Sequence, residues 1–164
     1  MKDLSKKEKV YFQICDAVLY METMKPHLKW SLSDISKQSG VTRSLIYYYL
    51  GKEKDQILHE AVLFMLDLFF NISGNRKLGL EKRMEVILEK ISEMPHIFLF
   101  YISERVKESE YGQTIREAEQ KLISYLQSEL GLSEKEALSL FMLEIGACAF
   151  GLKAKRAKEF FSSK

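Results

Sequence analysis

Cysteine, proline and long apolar runs are all scarce in this chain of 164 residues. Its two cysteines, Cys15 and Cys148, sit among apolar neighbours and form no CxxC pair. That pattern favours two small buried hydrophobes in a reducing compartment over a redox role, and no His/Cys cluster suggests zinc. Only two prolines occur, Pro26 and Pro95. No stretch reaches the roughly 18 uninterrupted apolar residues of a membrane span. The start, "MKDLSKKEKVYFQ", is charged and has no apolar run of secretory type. A cytoplasmic protein with no membrane partner is the expectation. Charge of one sign is also lacking: 25 Lys and Arg face 23 Asp and Glu. Residues 1–60 hold ten of the basic and eight of the acidic residues, so the surplus of two lies entirely there. It hints only faintly at a polyanion-facing N-terminal part.

Apolar residues, by contrast, make up 46% of the chain, enough for a sizeable core. Their period is helical nearly everywhere. A first helix fits 5–24, with Val10, Ile14, Ala17, Val18 and Met21 at three- and four-residue steps. "KPHLK" ends it. "SLSDISKQ" opens a short helix with Ser31 as cap and Asp34 in the box position. "SGV" stops that helix, and a second short one fits 42–49 with Thr42 as its cap. A long helix follows to about 72, with Leu58, Ala61, Val62, Met65, Leu66 and Phe69 as its buried stripe. "NISGNRKLG" reads as a loop. Helices then fit about 79–93, 95–108, 113–130 and 133–159, the last capped by Ser133 with Glu136 in its box. The expected class is all-α, with about eight helices and no strands.

Two short helices joined by a tight Gly-containing turn are a helix-turn-helix signature. The residues add to the spacing. "SLSDISKQSGVTRSLIYYYLGKEKDQIL" resembles the DNA-binding segment of TetR-family transcriptional regulators over about residues 8–62. Ser31 stands for the family's Thr at the head of the second helix. Asp34-Ile35-Ser36 stand for Asp-Ile-Ala, and Ser39-Gly40-Val41 for the Ala-Gly-Val turn. Thr42 and Ile46-Tyr47-Tyr48-Tyr49-Leu50 stand for Ser/Thr and hydrophobic-Tyr-x-Tyr-Phe. Ser44 departs from the usual small residue, and Leu50 from Phe. The Lys that opens the family's fourth helix is out of register here, so either Lys54, with one extra residue, or Lys52 stands for it. The resemblance implies an N-terminal helix-turn-helix domain, 1–55, and a C-terminal helical ligand-binding and dimerisation domain, 56–164.

A helix fits the major groove of DNA, where base edges distinguish all four pairs. Thr42, Arg43 and Ser44 occupy the start of the recognition helix. Arg43 is suited to guanine O6 and N7 or to a phosphate. Leu45 either meets a thymine methyl or is core. Ile46 and Leu50 share the inward face with Ile35 and Val41, and Tyr49 turns inward beside them. Tyr47 and Tyr48 project outward. A phenol suits a phosphate oxygen, and the resemblance gives Tyr47 that role. Tyr48 stands where the family often has His. Ser31 offers a hydroxyl and helix N–H groups to a phosphate, or is simply a cap. Lys6, Lys7 and Lys9 either touch phosphate or are a solvated helix start.

"ALSLFMLEIGACAFGL", 137–152, is apolar almost all round, as a helix buried on several sides would be. Gly146, Ala147, Ala149 and Gly151 admit a close neighbour. Paired with 113–130 (Ile115, Ala118, Leu122, Leu126), it suggests half of an intermolecular four-helix bundle through 113–130 and 133–152. A two-fold homodimer would place two recognition helices about one DNA turn apart on a palindrome. Glu144, inside the apolar run, needs a partner or a raised pKa. A ligand, an ion pair across the dimer and a pocket wall are all open for it. "PHIFLFYISER" supplies further ligand candidates: His96, Phe100, Tyr101 and Arg105.

A TetR-like regulator, acting as a repressor on palindromic double-stranded DNA and released by an unidentified small-molecule effector, is the expected function. The fourth helix would be its lever. The alternative is a helix-turn-helix protein acting through a protein partner. An enzyme is not expected. His27, His59 and His96 form no metal-binding pair, so no metal or cofactor is expected, and neither GxSxG nor a phosphate loop appears.

Overall fold

The computed structural model describes residues 5–26, 29–70, 80–92, 94–153, 156 and 159. Those residues form eight helices, α1 (Lys6–Met24), α2 (Leu32–Ser39), α3 (Arg43–Leu50), α4 (Lys54–Phe70), α5 (Leu80–Ser92), α6 (Ile97–Arg105), α7 (Glu110–Leu130) and α8 (Glu134–Ala149), and no strand. The loop expected at 71–79 and His27 lie outside the described residues. The protein is all-α. No helix among the described residues is long and apolar enough to cross a membrane.

Serine sets four of the eight helix starts. Ser5, Ser31 and Ser133 each cap their helix through the side chain and receive an acid back from the third position, Glu8, Asp34 and Glu136. Each box satisfies two of the N–H groups that a helix start leaves bare. Ser109 caps α7 by accepting from the Gly112 N–H at 3.0 Å, so α7 begins before the expected residue 113. Thr42 stands at the cap position of α3, but its hydroxyl accepts no bond from the first turn.

Two compact units divide the chain: Met1–Met65 with Glu93–Ser103, and Leu66–Ser92 with Glu104–Lys164. They are not the segments 1–55 and 56–164. The first unit keeps α4 as far as Met65, because α4 shares a core with α1. Tyr11 and Phe12 meet the Phe64 ring at centroid distances of 4.8 and 5.0 Å, edge to face. Ile14, Val18, Leu19, Ile35, Ile46, Leu50, Ile57 and Ala61 complete that core. Ile57 holds the buried position expected of Leu58, which is half-buried. Tyr49, expected in the core, is also half-buried; it stands edge-on to Tyr11 at 5.9 Å.

In the second unit α8 lies against both α5 and α7. Met84, Ile87, Leu88 and Ile91 of α5, Ile115, Ala118, Leu122 and Leu126 of α7, and Ala137, Phe141, Ala147 and Cys148 of α8 are buried. Further helix bounds differ from expectation, α6 among them, which ends at Arg105 rather than 108. Pro95 lies in a turn before α6 rather than in its first helical turn. α8 ends at Ala149, not 159, because Gly151 takes a left-handed φ of 59°, which the chain cannot carry inside a helix.

Candidate nucleic-acid interface

The turn between α2 and α3 is built from short polar side chains. Gly40 takes φ 69°, the left-handed conformation that ends α2 without a side-chain clash. The Ser36 hydroxyl donates to the Val41 carbonyl at 2.7 Å, and the Ser39 hydroxyl to the Ile35 carbonyl at 2.7 Å. The Val41 N–H donates back to the Ser39 oxygen at 3.2 Å. The turn therefore satisfies itself, and its geometry is independent of any ligand.

α3 then divides by face. Ile46 and Leu50, four apart, are buried against Ile35 and Val41 of the same core. Thr42, Arg43, Ser44, Leu45, Tyr47 and Tyr48 are all exposed. Leu45 is outward and not core. Tyr48 stands furthest out, with 75% of its surface open and its ring edge-on to Tyr49 at 5.2 Å. Arg43 reaches back to the Ser33 hydroxyl at 3.4 Å, a long bond on the surface. Lys52 lies over the Tyr47 ring, 5.9 Å from its centroid.

The two helix starts differ in charge. At α2 the Asp34 carboxylate accepts from the Ser31 hydroxyl at 2.7 Å and from its N–H at 2.8 Å. Those bonds hold the Asp34 carboxyl below its ordinary range. A negative charge thus occupies the place where Ser31 was expected to receive a phosphate, and a second anion there meets repulsion. The first turn of α3 has no acid and no side-chain cap bond. Of the two starts, α3 is the one open to an anion.

Lys54, not Lys52, is the first residue of α4. Its ammonium is 3.3 Å from Glu22 Oε1 and 4.6 Å from the centroid of the Trp30 ring. The Trp30 indole N–H donates to the same Glu22 Oε1 at 2.5 Å. The sequence reading missed both Glu22 and Trp30. Lys6, Lys7 and Lys9 are exposed in the first turns of α1.

The five ligand candidates divide between the two units. His96, Phe100 and Tyr101 belong to the first unit, Arg105 and Glu144 to the second. His96 is tied to α1: its Nδ1 is 2.8 Å from Asp16 Oδ2, and its backbone N–H donates to Asp16 Oδ1 at 2.9 Å. Tyr20 packs edge-on to its ring at 4.5 Å. Phe100 and Tyr101 are buried. Arg105 Nε donates to Glu119 Oε1 at 2.6 Å.

Glu144 has a partner inside its own chain. Arg83 of α5 bonds it through Nη2 at 2.8 Å and Nε at 3.4 Å, and donates also to the Phe69 carbonyl at 2.5 Å. Both side chains are almost fully buried, at 3% and 5% exposure. Burial pushes the Glu144 carboxyl up, and the Arg83 charge pulls it back. One turn on, burial and the Glu144 charge push the Cys148 thiol up to about 12, so it is unreactive at neutral pH. Arg83 carried a readable signal: it falls four and eight residues before Ile87 and Ile91, on the buried stripe of α5.

Among the described residues, no group of three or more His, Cys, Asp or Glu is placed to hold a metal ion. The chain matches no protein-family model, no curated protein and no solved structure. Its function must therefore be argued from the residues themselves.

Proposed function

We propose that this protein is a TetR-like DNA-binding regulator that reads a palindromic operator as a homodimer. The exposed face of α3 carries the reading. Six consecutive-face residues, Thr42, Arg43, Ser44, Leu45, Tyr47 and Tyr48, are turned to solvent on a helix held from behind by Ile46 and Leu50. They include a guanidinium for guanine, hydroxyls for phosphate and a leucine for a thymine methyl. In this reading α2–turn–α3 is the helix-turn-helix, and the open start of α3 replaces Ser31 as the phosphate-facing N-terminus. Lys52 and Tyr47 grip the backbone beside it.

The homodimer is supported by α8. Leu138, Met142 and Ala149 are exposed at helical spacing, Met142 to 67% of its surface. A Cβ at Gly146, on the same side, would meet nothing within 4 Å. An exposed apolar stripe around a small residue suits a second copy of the same helix. Apart from Leu130 at its end, the outward positions of α7 are polar (Glu117, Lys121, Ser124, Ser128), so α8 rather than α7 supplies most of the apolar contact. Release by a small-molecule effector rests on the family resemblance.

Selection of bound fragments from a random DNA pool tests the reading. Enrichment of a palindrome with half-sites about one helical turn apart is expected. A pool that stays random contradicts it. The alternative, a protein partner, is favoured by one observation. Lys37, Arg43, Lys52 and Lys54 are nearly balanced by Asp34, Glu53 and Asp55, and Leu45 and Tyr48 are apolar surface. Loss of a co-purifying protein in Tyr48→Ala, with no DNA enriched by the wild type, would carry that reading instead.

A further inference from the structure

The segment 31–53 contains α2, the turn, α3 and the residues leading to α4. Its immediate neighbours in sequence are Trp30 on one side and Lys54 on the other. Both bond one atom. The Trp30 indole N–H donates to Glu22 Oε1 at 2.5 Å, and the Lys54 ammonium lies 3.3 Å from that same oxygen. The ammonium also covers the Trp30 ring at 4.6 Å, so the two flanks touch each other as well as the carboxylate. Trp30 is buried, and an indole N–H taken from water needs an acceptor. Glu22 sits in the last turn of α1, where a negative charge opposes the helix dipole. The two donors offset that cost.

We infer that Glu22 is a positioning residue, a single carboxylate that staples both ends of the recognition segment to α1. The inference rests on the DNA-reading proposal for its purpose, and extends it. Lys54 leaves the set of phosphate contacts, because its charge is already matched by Glu22 and its face is set against Trp30. Lys52, exposed over Tyr47, remains the backbone lysine. The closed staple presents α3 at one fixed angle. Opening it frees both ends of the segment at once, so α2 and α3 open more often while the rest of the protein stays folded.

Two variants, Glu22→Gln and Lys54→Met, with Lys52→Met for comparison, test this in two separable ways. Without DNA, amide hydrogen exchange in 32–50 is expected to rise about three- to tenfold in Glu22→Gln and Lys54→Met, the scale of one partly exposed charged contact, with α7 and α8 unchanged. The indole N–H resonance of Trp30, the only tryptophan, is expected to move in both variants and to stay in Lys52→Met. With DNA, Lys54→Met should weaken specific binding but leave the dependence on salt unaltered, whereas Lys52→Met should lower the logarithmic salt slope by about 0.9. Unchanged exchange in 32–50, or a slope lowered by Lys54→Met as much as by Lys52→Met, overturns the staple. If the wild type binds no DNA, the reading of α3 fails, and the exchange and indole measurements still decide for or against the staple.

Discussion

α3 and α8 each turn a stripe of side chains away from their own unit, and the two stripes have opposite chemistry. α3, with its cap residue Thr42, shows a guanidinium, two hydroxyls, two phenols and a single leucine, Leu45. α8 shows Leu138, Met142 and an unshielded Gly146. Their inner faces differ in the reverse sense. α3 is anchored by Ile46 and Leu50 alone, whereas α8 carries a buried carboxylate, Glu144, matched by Arg83. An outward polar stripe on an apolar anchor suits a polyanion. An outward apolar stripe on a rigid, ion-paired anchor suits a second apolar surface.

The largest expected effect separates the anchors. Glu144→Ala leaves Arg83 buried without its counter-charge, and should cost about 3–5 kcal/mol of stability in urea unfolding. Joint replacement, Glu144→Leu with Arg83→Met, should recover most of that loss, since a buried pair often exchanges evenly for packed apolar groups. Next comes the outward face of α3. Arg43→Ala should weaken binding to the selected DNA by about 1–3 kcal/mol. Its folding stability should change by no more than about 0.5 kcal/mol, because its side chain is exposed. The same substitution acting on stability instead of binding would erase the contrast. On α8, Met142→Lys puts a charge in the apolar stripe. Sedimentation should then show a single chain where the wild type shows a pair, with unfolding unaltered.

The smallest effect is a pH dependence at the start of α2. Ser31 holds the Asp34 carboxyl below its ordinary value of 3.8. A depressed folded-state value stabilises the fold fully above the unfolded value, and that contribution is lost as pH falls through the folded one. Amides in the first turn of α2 should therefore lose exchange protection below about pH 3.8, and Asp34→Asn should remove the dependence.

Local features were legible in the sequence where their cause is local. The caps at Ser31 and Ser133, the stop at Gly40 and the inward pair Ile46 and Leu50 follow from spacing within a few residues. Ser5 with Glu8 has the same spacing and forms the same box. Features that need distant partners were not legible. Glu144 clearly needed something, but Arg83 lies 61 residues away. Nothing within a few residues of Glu22 points to Trp30 and Lys54, which converge on it in the fold. Tyr49 lies three residues beyond Ile46, which spacing places inward, yet it is half-buried, edge-on to Tyr11 of another helix, a partner 38 residues away in sequence.

Photo-cross-linking compares the two stripes in one experiment. The photoreactive amino acid p-benzoylphenylalanine would be placed at Tyr48 in one sample and at Met142 in another, each irradiated with the selected DNA. The account predicts a protein–DNA adduct from position 48 and an adduct between two copies of the chain from position 142. A protein adduct from position 48, with no DNA attached, would contradict it.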